Sequence, residues 1–324
     1  MKHRWSEAAR FPILGRVVAL LFGMVAAAGV SVPRVHAATP SGRPPVAITD
    51  VTVIDVEQGR AIGPRTVLIA DGRITAIQST ESHIPDDAER VDGRGRFLIP
   101  GLVDMHVHLF NNASHRPPNT WTFPLFVANG ITAVREMAGI PASIAIVNQW
   151  RKAAAEGTLV APRIVAAGVV AYGPSPDEAL RQVDEAADAG ADFIKVFSDI
   201  SAPSWRAVIK ESRRRSLPVI GHVPAGVSVL AAAEAGQRSD EHLTQIFEAC
   251  STIERTLFAE RHGLAGDALI ARTDAEESRV LASYDQPTCD HLAAALAPSG
   301  QAQVPTLILP YVESKVPARA PADD

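Results

Sequence analysis

From residue 100 onward the chain alternates short apolar runs with Ala-rich stretches at helical spacing, and this rhythm limits the fold more than any other feature. The apolar runs cover residues 102–107, 131–135, 163–167, 193–197, 218–222, 239–242 and 304–309. Residues 143–156, 176–190, 202–215 and 227–236 mix Ala, Leu, Val, Arg and Glu with helical periodicity, and several of these stretches stop at Gly. Strands alternating with helices build right-handed βαβ units on a parallel sheet. Most runs recur every 20 to 30 residues, with one longer excursion, 243–303, before the seventh. Repetition on this scale predicts an α/β fold of the TIM (β/α)8 type, whose sites lie at the C-terminal ends of the strands.

Residues 47–98 have a different texture. The segments 47–56, 65–69 and 73–77 are β-rich, and Asp71-Gly72 is a hairpin signal between the last two. Residues 90–99, broken at Gly93 and Gly95, lead into the first apolar run of the barrel. Ahead of this module, Lys2, Arg4, Arg10 and Arg16 precede an apolar run from Val17 to Val30 and the exit Val35-His36-Ala37. Basic start, short apolar middle and small-residue exit predict a secretory signal peptide over 1–37, hence an exported, periplasmic or secreted protein. The apolar run is too short for the ~20 residues a spanning helix needs, so no stable membrane span is expected after cleavage. The expected organisation is therefore 1–37 signal, 38–99 β segment and 100–324 barrel.

Removing residues 1–37 takes five Lys/Arg and one Glu with it, so the mature chain carries a net charge of −9 instead of −5. Nucleic acid is disfavoured as a partner, because its recognition needs a basic footprint. Arg213-Arg214-Arg215 reads as the solvated end of a helix. Cys250 and Cys289 would meet an oxidising compartment, where a disulfide and two buried thiols are both open. No Gly-x-Ser-x-Gly elbow, P-loop or dinucleotide fingerprint is present, which argues against nucleophilic-serine and nucleotide chemistry.

The chemistry-bearing residues sit at the ends of the apolar runs. His106 and His108 close the first, and two-residue alternation puts both imidazoles on one face of a strand. Two neutral imidazoles on one rigid strand make half of a transition-metal site. His222 closes the fifth run and His242 the sixth. Lys195 lies inside Phe193-Ile-Lys-Val-Phe197. A parallel-barrel strand is covered on both faces, so an ammonium there needs a partner or a chemical change. Asp104 shares the face of His106, with two roles open: orienting that imidazole or pairing with an arginine. Tyr172 and Arg135 read as packing or surface residues rather than substrate contacts, and His83, His115, His262 and His291 as structural or exposed.

With these motifs in order, the chain resembles the metal-dependent amidohydrolase superfamily, particularly its imidazolonepropionase-like and Xaa-Pro dipeptidase-like members. The resemblance rests on Pro100-Gly-Leu-Val-Asp-Met-His-Val-His108, Gly130-Ile-Thr-Ala-Val-Arg-Glu136, Asp192-Phe-Ile-Lys195, Gly221-His222, Ser239-Asp-Glu-His242 and Val304-Pro-Thr-Leu307. It implies a TIM barrel preceded by part of a small β-sandwich. It further implies two divalent metal ions, with His106 and His108 on the first, His222 and His242 on the second, and a carboxylated Lys195 bridging both. Zinc suits the imidazole-rich set best. The implied activity is hydrolysis of an amide, cyclic amide or dipeptide bond by metal-activated water, on a small-molecule or dipeptide substrate chosen by loops 109–125 and 243–303.

The same resemblance implies an eighth strand ending in an aspartate that takes the proton from the bridging water. No such residue follows: the spacing would place that strand near or beyond residue 330, and 313–324 reads as a Pro- and Ala-rich tail. The barrel is thus expected to be incomplete, without strand 8, and loss of the proton acceptor to lower the rate by ~10²–10⁴-fold. Two other functions stay open: organophosphate or ester hydrolysis on the same metal site, and a truncated, catalytically impaired metal-binding pseudoenzyme. An oligomer is also left open.

Overall fold

The computed structural model describes residues 44–110, 118–173, 175–313 and 315. The signal peptide expected over 1–37, residues 111–117 with His115, and the tail from 316 lie outside the described residues. The chain divides into two compact units, Met1–Ile99 and Pro100–Asp324.

In the first unit five strands form one sheet: β1 (Val46–Asp55), β2 (Arg60–Ala70), β3 (Arg73–Gln78), β4 (Glu89–Asp92) and β5 (Phe97–Leu98). The order is β3-β2-β1-β4, with β5 also on β1. Strand β1 runs antiparallel to β2 and parallel to β4 and β5. Asp71 and Gly72 both adopt left-handed backbone (φ 52° and 71°), the geometry a two-residue hairpin turn demands.

The second unit is the incomplete barrel. A five-stranded parallel sheet, β10-β9-β8-β7-β6, is made of β6 (Leu102–Val107), β7 (Ile131–Gly139), β8 (Arg163–Val170), β9 (Phe193–Val196) and β10 (Val219–Gly221). Strand β11 (Ser239–Glu241) pairs in parallel with β12 (Ala302–Val304), and the Arg238 N–H bonds Val219 O at 2.7 Å, joining this pair to β10. Helices α1 (Phe123–Ala128), α2 (Pro141–Ala155), α3 (Pro176–Asp188), α4 (Ala202–Arg214) and α5 (Val229–Glu234) lie between the strands. Local sequence explains their starts. Ser175, Ser201 and Ser228 each accept a first-turn N–H, and Pro176 and Pro203 occupy first-turn positions where no N–H is needed. Val183, Ala186, Ile194, Val196, Trp205 and Val208 bury the helix–sheet interface. Such burial stabilises by roughly 25 cal/mol per Å² of apolar surface. The arginine run ends α4 and ties it to α3, through Arg214 and Arg215 on Asp184 and Asp188.

The long excursion is helical: α6 (Ile246–Ala249), α7 (Glu254–Arg261), α8 (Gly266–Ala282) and α9 (Gln286–Leu296). Cys250 and Cys289 are disulfide-bonded, which closes the alternative left open above. One expectation fails. The seventh strand lies at Ala302–Val304 rather than 304–309, and Ile308–Glu313 forms helix α10. Pro305 has no N–H for a ladder and Thr306 adopts φ 44°, so pairing stops at Val304 despite the apolar residues beyond it. Among the described residues no helix is long and apolar enough to cross a membrane.

Candidate functional site

The C-terminal ends of β6, β9, β10 and β11 bring four imidazoles and Lys195 together. The Nε2 atoms of His106 and His108 stand 3.2 Å apart, with their rings stacked. The His242 ring centroid lies 4.6 Å from that of His106 and 4.9 Å from that of His222. Lys195 is fully buried, and its Nζ has no hydrogen-bond partner among the described residues; the Phe197 ring lies 5.0 Å away. The Nε2 of His222 is likewise buried and without a partner.

The backbone that aims these groups is specific. Gly221 precedes His222 at φ 124°, and a Cβ there would lie 2.3 Å from Val196 O. Only glycine lets β10 come this close to β9 beside the lysine. After β11 the chain turns sharply: His242, Leu243 and Gln245 all have positive φ (66°, 57° and 63°). Non-glycine residues held there carry strain that concentrates at functional sites. The outward ring nitrogens are also tethered, His222 Nδ1 by Ser198 Oγ at 2.9 Å and His242 Nδ1 by Thr306 Oγ1 at 2.5 Å.

The surroundings favour neutral rings with free lone pairs. Burial, reinforced by the charge of Lys195 and the other histidines, pulls His222 from 6.5 down to about 2. Burial and then the charges of His106, Lys195 and His242 lower His108 to about 4, although part of its ring stays open to solvent. Burial, then His106 and Lys195, lower His242 to about 4 as well. Burial lowers Lys195 from 10.5 to about 8, against the pull of Glu241.

Two nitrogens each about 2.0–2.1 Å from a tetrahedral zinc stand about 3.3 Å apart. The His106–His108 spacing matches that bite. As placed, no group of three or more His, Cys, Asp or Glu side chains among the described residues is close enough to hold an ion. The donor types and the paired spacing fit a divalent metal.

Several supporting residues were not singled out in the sequence. Glu241 is fully buried, and its carboxylate meets His106 Nδ1 at 2.7 Å and Arg135 Nη2 at 2.7 Å. Burial pushes this carboxyl up, yet hydrogen bonds from His106 and Ser239 and the Arg135 charge outweigh it, leaving a net downward shift. Arg135 is therefore a buried partner of the site rather than a surface residue. Asp104 takes neither role considered for it: its Oδ1 accepts the backbone N–H of His106 at 3.0 Å. Gln237 donates to the carbonyls of Gly221, His222 and Ser239 and accepts from Trp205, pinning β10 to β11. Glu136 accepts the Leu109 and Ala138 N–H groups and fixes the chain beyond His108. The signal for Glu241 was present, since a charge inside a barrel strand is as anomalous as Lys195. Tyr172 stacks on Phe197 with centroids 6.1 Å apart. His83, His262 and His291 are exposed.

No family model matches the chain. A dihydroorotase from Anaeromyxobacter sp. (strain K) is 38% identical over 93 residues, covering 26% of this chain and 21% of that protein. An adenine deaminase from Salinibacter ruber is 27% identical over 256 residues, covering 72% of this chain and 44% of that protein. The chain thus spans less than half the length of either relative. Among solved structures, a prolidase complexed with N-methylphosphonate-L-proline has the same fold, with TM-score 0.52, 19% identity and coverage of 80% of this chain and 77% of that one. The chain is related to the amidohydrolase superfamily.

Proposed function

We propose that this protein hydrolyses a carbon–nitrogen bond of a small amide, cyclic amide or dipeptide with the help of two divalent metal ions, zinc foremost. The observation that carries the reading is the gathering of four imidazoles around a buried lysine whose Nζ, like His222 Nε2, has no partner among the described residues. His106 and His108 would hold the first ion, and His222 and His242 the second. Lys195, carboxylated on Nζ, would bridge them. When bound, such ions lower the pKa of a shared water and polarise the substrate carbonyl.

The chain's own residues prepare that chemistry. Depressed imidazole pKa values keep His108, His222 and His242 unprotonated near neutral pH. With its pKa at about 8, Lys195 is neutral in about a tenth of molecules at pH 7. At the ordinary 10.5 the fraction is about one in three thousand. A neutral amine is what adds to carbon dioxide. Ser198 and Thr306 hold the outward nitrogens of His222 and His242, leaving Nε2 of each ring for an ion. The Cys250–Cys289 disulfide supports export to a periplasmic or extracellular compartment.

The test is metal content by emission spectrometry after loading with zinc and bicarbonate, with hydrolysis of a panel of N-acyl amino acids, cyclic amides and Xaa-Pro dipeptides. Two ions per chain and turnover that disappears in His222→Asn and His242→Asn are expected. Zinc uptake without turnover on any substrate favours the metal-binding reading, and no zinc uptake removes the proposal.

A further inference from the structure

The Glu241 carboxylate reaches His106 from a strand that is not a neighbour of β6 in the sheet. Three donors converge on it: Arg135 Nη2 (2.7 Å) and Ser239 Oγ (2.5 Å) on Oε1, and His106 Nδ1 (2.7 Å) on Oε2. Arg135 also donates from Nε to Met105 O at 2.6 Å, on the strand that carries His106 and leads into His108. An ionised carboxylate only accepts, and a guanidinium only donates. The ring nitrogen facing Oε2 therefore carries the proton, and the lone pair of His106 is left on Nε2, 3.2 Å from Nε2 of His108.

Resting on the metal-binding reading above, we infer that Glu241, held by Arg135, is a positioning residue that sets the tautomer of His106 so that its Nε2 lone pair faces the ion. Among the proposed ligands Glu241 hydrogen-bonds His106. On Lys195 and His242 it acts through its charge, which opposes the lowering of both by burial, so the tautomer of His106 is the readout particular to the contact. Arg135 compensates its charge and anchors β6 through Met105 O. Carboxylates placed behind metal-ligating imidazoles commonly govern affinity in this way.

The geometry makes the isosteric Glu241→Gln variant informative. Arg135 and Ser239 both require an acceptor at the Oε1 position, so the amide oxygen must sit there and the NH₂ group must face His106. That group donates, Nδ1 becomes the acceptor, and the proton moves to Nε2, where it blocks ligation. The expected result is a histidine with unchanged position and switched tautomer. It is read in ¹⁵N spectra of histidine-labelled, chelator-treated protein, with His106 assigned by loss of its signals in His106→Asn. Zinc affinity, titrated with zinc alone, should fall by roughly ten- to a hundredfold.

The double variant Arg135→Met/Glu241→Leu removes the ion pair together, a change buried pairs often tolerate. It should leave His106 a mixture of tautomers in a folded protein. If His106 keeps its proton on Nδ1 in both variants, the inference is overturned whatever zinc does. A switched tautomer with unchanged zinc affinity overturns the link to the ion. Should the wild type bind no zinc while the tautomer switches, the metal reading falls and the control of His106 by Glu241 stands.

Discussion

Replacing Lys195 by methionine should make the metal-free protein more stable, because this site holds an ammonium without an acceptor. The side chain is fully buried, and Nζ has no hydrogen-bond partner among the described residues. Burial draws its pKa from 10.5 to about 8. At about 1.36 kcal/mol per tenfold, that drop corresponds to roughly 3 kcal/mol of destabilisation by the charged form. The penalty is full below about pH 8, where folded and unfolded states both carry the proton. It shrinks as pH rises through the folded value and vanishes above 10.5, where both states are neutral. Methionine fills a similar volume without charge, so packing losses stay small. The assay is urea unfolding of chelator-treated protein in bicarbonate-free buffer at pH 7 and at pH 10.5–11. Lys195→Met should gain about 2–3 kcal/mol at the lower pH and converge with wild type at the higher. A variant no more stable than wild type at pH 7 would mean that the lysine has a partner in solution, and the account of a strained site would be wrong.

Two other perturbations follow from the packing. Gly221→Ala puts a Cβ 2.3 Å from Val196 O at φ 124°. It should lower stability by about 3–5 kcal/mol from combined backbone strain and clash; a urea midpoint close to wild type would refute the close β9–β10 approach. The Cys250–Cys289 bond closes a separation of 39 residues around α7 and α8. On the chain-entropy model a loop this long is worth about 4 kcal/mol, so Cys250→Ala/Cys289→Ala should lose about 2–4 kcal/mol in denaturant melts, and a midpoint unaffected by reductant would contradict it.

What could be read along the chain was what repeats or clashes locally. The alternation of apolar runs and helical stretches depends on nearest neighbours, so six of the seven expected strands fall within a few residues of their runs. Val304-Pro-Thr-Leu307 misled for a local reason: its apolar residues continue past a proline that cannot extend the ladder. His106 and His108 were legible as a pair because strand alternation alone puts them on one face. Lys195 was legible because its chemistry is at odds with a covered strand.

The partners of those groups belong to the tertiary structure. Glu241 lies 135 residues from His106, and Arg135 lies 106 from Glu241. No periodicity reports such separations. Curling of the sheet brings β11 back toward β6 and turns two isolated buried charges into one network. The same holds for Cys250 and Cys289, whose distance only helix packing sets, and for Asp104, whose carboxylate serves the backbone instead of a ring. The sequence by itself determined which groups could carry chemistry and the kind of scaffold that presents them. Folding decided which nitrogen of each ring is left to act, because a hydrogen bond between distant strands depends on ångström distances that residue order does not encode.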